Sequence, residues 1–148
     1  GATNPEHRKQ SGMTLLALLA TLAATNATIT AAPHARYYER LARAYFSAWN
    51  AHDEAALRKL FAADVTLHDW QISKSGIEAV TNANGEIWRS APRIRIEVVT
   101  IHASEHTSSA LAEILVHVGD AALTELRVID VLTFDQSGQI SSVRAYKG

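Results

Sequence analysis

The chain has no cysteine, one methionine and three prolines in 148 residues. Without cysteine it has no disulfide, no thiol nucleophile and no cysteine-ligated metal. So few prolines leave room for uninterrupted helices and strands. Neither sign of charge dominates. Fourteen Lys and Arg oppose fifteen Asp and Glu, and both signs are scattered, so there is neither a basic stripe for nucleic acid nor an acidic solvated tail. The longest apolar run, residues 14–24, is too short to span a bilayer. What remains is an ordinary globular balance, and a chain of this length forms one domain that buries roughly 70% of its unfolded surface.

The N-terminus carries two readings. His7-Arg8-Lys9 precedes the apolar run, and small and polar residues follow up to Pro33. A basic start, a short apolar core and a small-residue region resemble a secretory signal. The same residues place Leu15, Leu18, Leu19 and Leu22 on one helical face, which suits an accessory helix docked on the domain or on a partner subunit. Residues 1–33 are therefore assigned to an N-terminal extension and 34–148 to the domain. The compartment stays open between cytoplasmic and secreted. Met13 is a candidate native start, and Gly1 a candidate remnant of expression.

Beyond Pro33 the periodicity predicts a helix over 36–50 and a turn at 50–53. Asp53 then caps a short helix to Phe61. A strand is predicted over 65–71. Ser75-Gly76-Ile77-Glu78 has the pattern of a capping box opening a third helix to Trp88. Strands over 93–101, 110–118, 126–134 and 139–146 follow as a meander, with turns at Gly119-Asp120 and at Asp135-Gln136-Ser137-Gly138, where Gly138 is expected at positive φ. This order predicts an α+β domain: a curved, mostly antiparallel sheet wrapped around three helices, with a cone-shaped pocket inside.

Three polar side chains stand where the pattern demands apolar ones. In the 126–134 strand, Leu126, Val128, Asp130, Leu132 and Phe134 share one face. Four of the five are large and apolar, so Asp130 is expected buried with no cation on its own face. Lost hydration should raise its pKa and keep it protonated, as a hydrogen-bond donor. Asp69 alternates with Val65 and Leu67, opposite Thr66, His68 and Trp70. Tyr45 lies in the helical stripe of Tyr38, Leu41, Ala42, Ala48 and Trp49. Each has a plainer reading: a buried Tyr packs its ring and bonds a carbonyl, and an Asp near a strand end caps a turn. The joint pattern outweighs any single member.

The stretches Tyr45-Phe46-Ser47-Ala48-Trp49-Asn50-Ala51-His52-Asp53, Leu60-Phe61-Ala62-Ala63-Asp64-Val65-Thr66-Leu67-His68-Asp69 and Ile129-Asp130-Val131-Leu132-Thr133-Phe134-Asp135-Gln136-Ser137-Gly138 resemble the ketosteroid isomerase branch of the nuclear transport factor 2-like (SnoaL-like) superfamily. The likeness runs from about Tyr37 to the C-terminus. Those isomerases use an aspartate base with a tyrosine and a protonated aspartate as oxyanion hole. The resemblance implies these roles for Asp69, Tyr45 and Asp130, acting without metal or organic cofactor on an apolar small-molecule ketone. It also implies a homodimer through the outer sheet face, where Glu125 and Arg127 alternate. The sequence departs from the family where Trp70 follows Asp69 in place of the usual proline. Tyr37 and Tyr38 are the candidates for the second tyrosine that often backs the first. The superfamily also contains cyclases, hydrolases and non-catalytic binding modules. A hydrolase or cyclase needs more polar groups in the pocket than the inward faces supply. A binding module predicts that one of the three side chains turns away or is consumed by an internal salt bridge.

The histidines carry less. His102 and His106 have a spacing that would suit a metal on a helix, but they flank a strand end and a polar turn, so no metal site is assigned. His68 faces away from the Asp69 side of its strand, and His52 is expected against the C-terminal end of the first helix.

Overall fold

The computed structural model describes residues 33–119 and 125–148. Residues 1–32 of the expected 1–33 extension and the Asp120 half of the expected Gly119-Asp120 turn lie outside the described residues. Helix α1 (Pro33–Asn50) carries a buried stripe of Ala42, Tyr45, Phe46 and Trp49, spaced to fall on one face. A turn with His52 at φ 52° reverses the chain. Asp53 then caps α2 (Glu54–Leu60) by accepting the Ala56 amide at 2.9 Å. Strand β1 (Phe61–His68) buries Val65 and Leu67. A short strand β2 (Ser73–Ser75) and helix α3 (Ile77–Ser90) come next. Strands β3 (Arg95–Ser104), β4 (Ser109–His117), β5 (Glu125–Phe134) and β6 (Ile140–Lys147) complete the domain.

Two sequence expectations change here. The expected capping box at 75–78 does not form. Ser75 is held in β2 opposite Thr66, and Gly76 takes the N-cap place at φ 88° with its amide on the Val65 carbonyl. Glu78 turns instead to the Arg58 guanidinium. Strand β1 ends at His68 rather than Gln71, because residues 69–72 form the turn into β2. That short strand is uniformly polar and exposed, so no alternation betrays it. His52 stays at the end of α1, its amide donating to the Trp49 carbonyl at 3.0 Å, while its Nε2 lies 3.0 Å from the Ile94 carbonyl and its ring stacks on Trp88.

The sheet runs β2-β1-β6-β5-β4-β3. Strands β3 to β6 form the antiparallel meander, and β1 joins β6 in parallel, which makes the sheet mixed. Register shifts at 98–100 in β3 and at 133–134 in β5 bend it. Helices α1 and α3 pack on the sheet, and α2 packs on those two helices. The turn at 135–138 closes as expected, with Gly138 at φ 82° and the Asp135 carboxylate accepting the Ser137 and Gln139 amides. A Cβ at 138 would strike the Tyr37 hydroxyl, so positive φ and close packing both require glycine.

Candidate active site

Between the helices and the concave sheet face lies a cavity of about 300 Å³. Its walls are mostly aliphatic, with Ile87, Ile94, Ile96, Ile114, Val128 and Val143 prominent. Tyr45, Asp69 and Asp130 all contribute to it. The structure thus brings the three sequence-predicted residues to one cavity from α1, the β1–β2 turn and β5.

Asp130 is 5% exposed. Along β5 it lies between Val128 and Leu132. Across the sheet its register partners are Ala112 on β4 and Ala145 on β6. Two alanines beside it leave space above the carboxyl, which helps to make the cavity, and they bring no cation. Among the described residues Asp130 has neither an ion pair nor a hydrogen bond from a side chain. Burial, and secondarily the negative charge of Asp69, push its pKa up to about 7. The sequence argument from i±2 and i±4 neighbours therefore extends to the lateral neighbours.

Tyr45 is 3% exposed, its ring edge-on to Phe46 and tilted against Phe61. Burial and then the charge of Asp130 hold its phenol well above the usual range, so it stays a donor. The plainer expectation, a hydroxyl consumed by a backbone carbonyl, is not met among the described residues. Neither Tyr37 nor Tyr38 stands behind it: Tyr38 donates to Ser108 Oγ at 3.1 Å, and Tyr37 packs against Tyr38 and Gly138. Both lie two turns from Tyr45 along α1, too far to share its hydroxyl.

Asp69 lies one residue past β1. Its Oδ1 accepts the Gln71 amide at 2.6 Å and also the Ile72 amide, so the turn-capping reading of this residue is correct as far as it goes. Oδ2 has no hydrogen bond among the described residues. The cap fixes the carboxylate at the cavity wall, close enough for its charge to act on Asp130. Trp70, 45% exposed, lies at the mouth rather than on an opposite strand face.

The sequence reading missed Asn84. It is buried on α3, lines the cavity, and accepts the Trp49 indole N–H at 2.9 Å. Val80 and Trp88, one turn before and after it, are the signal that could have found it: an amide in an apolar stripe. The other histidines stay outside. His68 is exposed and meets Ser73 Oγ through Nδ1, and His102 and His106 gather no third ligand among the described residues. No described helix is long and apolar enough to cross a membrane.

A family model described as a SnoaL-like domain matches residues 42–143. A search of curated proteins finds no match. Among solved structures, a SnoaL-like protein of unknown function from Burkholderia thailandensis is 20% identical with a TM-score of 0.66, over 76% of this chain and 95% of that one. A candidate ketosteroid isomerase from Kribbella flavida is 21% identical with a TM-score of 0.65, over 77% and 79%. A candidate polyketide cyclase from Sinorhizobium meliloti is 20% identical with a TM-score of 0.64, over 72% and 93%. At such identities the likeness is one of fold.

Proposed function

The chain belongs to the SnoaL-like domain family, and from that premise we propose that it is a cofactor-independent isomerase moving a proton within an apolar ketone. The observation that carries this reading is the meeting, in one largely aliphatic cavity, of a capped aspartate with a free oxygen and two buried donors, Tyr45 and a carboxyl neutral up to about pH 7. The carbonyl oxygen of the ketone sits between Tyr45 and Asp130. Asp69 removes a proton from the carbon beside the carbonyl, and the electron pair moves onto oxygen as a dienolate. The Tyr45 hydroxyl and the Asp130 carboxylic acid donate to that oxygen. Asp69 then returns the proton to a different carbon, and the double bond moves into conjugation.

The test is binding of 2-naphthol, a fluorescent mimic of the dienolate, to wild type, to Tyr45→Phe and to Asp130→Asn at pH 6. Tight binding is expected for wild type. Loss of one oxyanion donor should weaken it by about 1.5–3 kcal/mol, roughly ten- to a hundredfold. Binding indifferent to both Tyr45 and Asp130 would discard the oxyanion hole, and with it the reaction.

The functional unit of this reading is a homodimer through the convex sheet face. One cross-strand row there reads His102, Leu111, Val131, Arg144 and His68, and the next includes Glu113, Ile129 and Tyr146. Leu111 is 40% exposed and Tyr146 more so, an apolar centre with charged flanks. Sedimentation of wild type should give a dimer, and Leu111→Asp a monomer. A monomeric wild type would remove this part of the proposal.

A further inference from the structure

The proposed reaction uses Tyr45, Asp69 and Asp130 and leaves another buried polar group in the cavity wall unused. Asn84 is 3% exposed. Its Oδ1 accepts from the Trp49 indole at 2.9 Å, and its Nδ2 donates to the Val80 carbonyl at 2.9 Å. An indole N–H can only donate and a carbonyl can only accept, so these partners fix which end of the amide is oxygen. A carboxamide offers two N–H groups and two acceptor sites, and one of each is used. The remaining N–H and the remaining lone pair belong to a side chain in the wall of a mostly aliphatic cavity, to which Ile87, Ile94 and Ile96 also contribute. A half-used amide in such surroundings is costly. A leucine facing a phenylalanine would fill this space with no polar atom to satisfy, so packing alone does not account for the pair. A ligand oxygen would.

The placement says where that oxygen is. Trp49 follows Tyr45 by four residues on the same face of α1, one turn or about 6 Å along the axis. Asn84 is bonded to Trp49, one turn beyond Tyr45, and shares no hydrogen bond with Tyr45 or Asp130. Resting on the proton-transfer reading above, we propose that the substrate is an apolar ketone carrying a second oxygen, hydroxyl or carbonyl, at the end remote from the reacting carbonyl, and that the Asn84 amide binds it. A hydroxyl uses the amide in full, donating to Oδ1 and accepting from Nδ2. Asn84 thereby sets which ketones are taken and in which direction they enter.

The experiment compares 2-naphthol with 2,6-dihydroxynaphthalene, which has a second hydroxyl at the opposite end of the same ring system. Binding to the whole chain is followed by fluorescence at pH 6, in wild type, Asn84→Ala and Asn84→Ser. Wild type should prefer the diol about tenfold, beyond the factor of two that its symmetry supplies. Asn84→Ala should lose that preference, so that the ratio of the two affinities falls to the statistical factor of two. A purely structural role would weaken both ligands together and leave their ratio intact, which would overturn the inference. Asn84→Ser keeps a polar atom near Trp49 and repeats the test if the alanine variant fails to fold; it too should lose the preference. Asp130-dependent binding of 2-naphthol with no preference for the diol in wild type would overturn this inference alone. Failure of wild type to bind either compound would overturn both it and the proposed reaction.

Discussion

Asp69→Asn is expected to cut isomerisation of a β,γ-unsaturated ketone by about 10³-fold or more, followed as the rise in absorbance of the conjugated product, while 2-naphthol binding at pH 6 persists. The two effects separate because of how Asp69 is held. Its Oδ1 accepts the Gln71 and Ile72 amides, and an asparagine Oδ1 can accept the same two bonds, so the turn keeps its shape. What is lost is the oxygen that would take the proton, and general-base catalysis of this kind is worth roughly 10²–10⁴. Since the dienolate mimic needs no proton removed, its affinity should survive. A second readout follows from charge. The anion of Asp69 is one of the two causes that raise the Asp130 pKa, so without it Asp130 should ionise at lower pH. The alkaline fall in naphthol affinity should then begin earlier in Asp69→Asn than in wild type. Turnover at the wild-type rate in the variant would mean that another group is the base, and the assignment of Asp69 would fail.

How far these residues could be read in advance depended on how local their determinants are. Asp130 was legible because its burial follows from period two along a single strand: Leu126, Val128, Leu132 and Phe134 decide its face whichever strands lie beside it. What the strand could not tell was that Ala112 and Ala145 would flank it, since register is set by partners distant in sequence. Tyr45 was legible from a helical stripe for the same local reason. Asp69 does line the cavity, but the pattern puts it in the wrong element. Pattern counting carried the strand on through 69–71, whereas side-chain bonding to the next amides ended it. Asn84 was missed because an amide on α3 has no chemistry of its own to announce, and its meaning comes from Trp49, 35 positions away. The parallel β1–β6 pairing was equally beyond reach, since it joins the first strand of the fold to the last. Local periodicity thus supplied every element but β2, and it placed Tyr45 and Asp130 on theirs. The long-range pairings supplied the cavity.

The second large effect concerns Asp130 and sets stability against function. Its pKa in the folded chain is about 7, against an ordinary 3.8. Between those values the folded state holds a proton that the unfolded state has released. Stability contributed by this group is therefore full below about pH 4 and declines as pH rises to about 7. The total loss is on the order of 4 kcal/mol, at 1.36 kcal/mol for each pKa unit. Asp130→Asn removes the titration. The difference in unfolding free energy between variant and wild type, measured by urea denaturation, should shift in favour of the variant by about that amount from pH 4 to pH 8. Other carboxylates titrate in both proteins and largely cancel. Function should move the opposite way. In wild type, naphthol affinity and turnover fall above about pH 7, because an ionised Asp130 donates nothing and repels the developing oxyanion. In Asp130→Asn that limb should flatten, at the cost of a weaker donor and a rate lower by a few kcal/mol at most. Parallel stability curves for the two proteins would mean that Asp130 is ionised throughout, in which case it could not serve as the neutral donor. A buried acid that stays protonated to near neutrality is what the proposed reaction requires, and the same raised pKa that costs stability between about pH 4 and 7 sets the upper pH limit of the site.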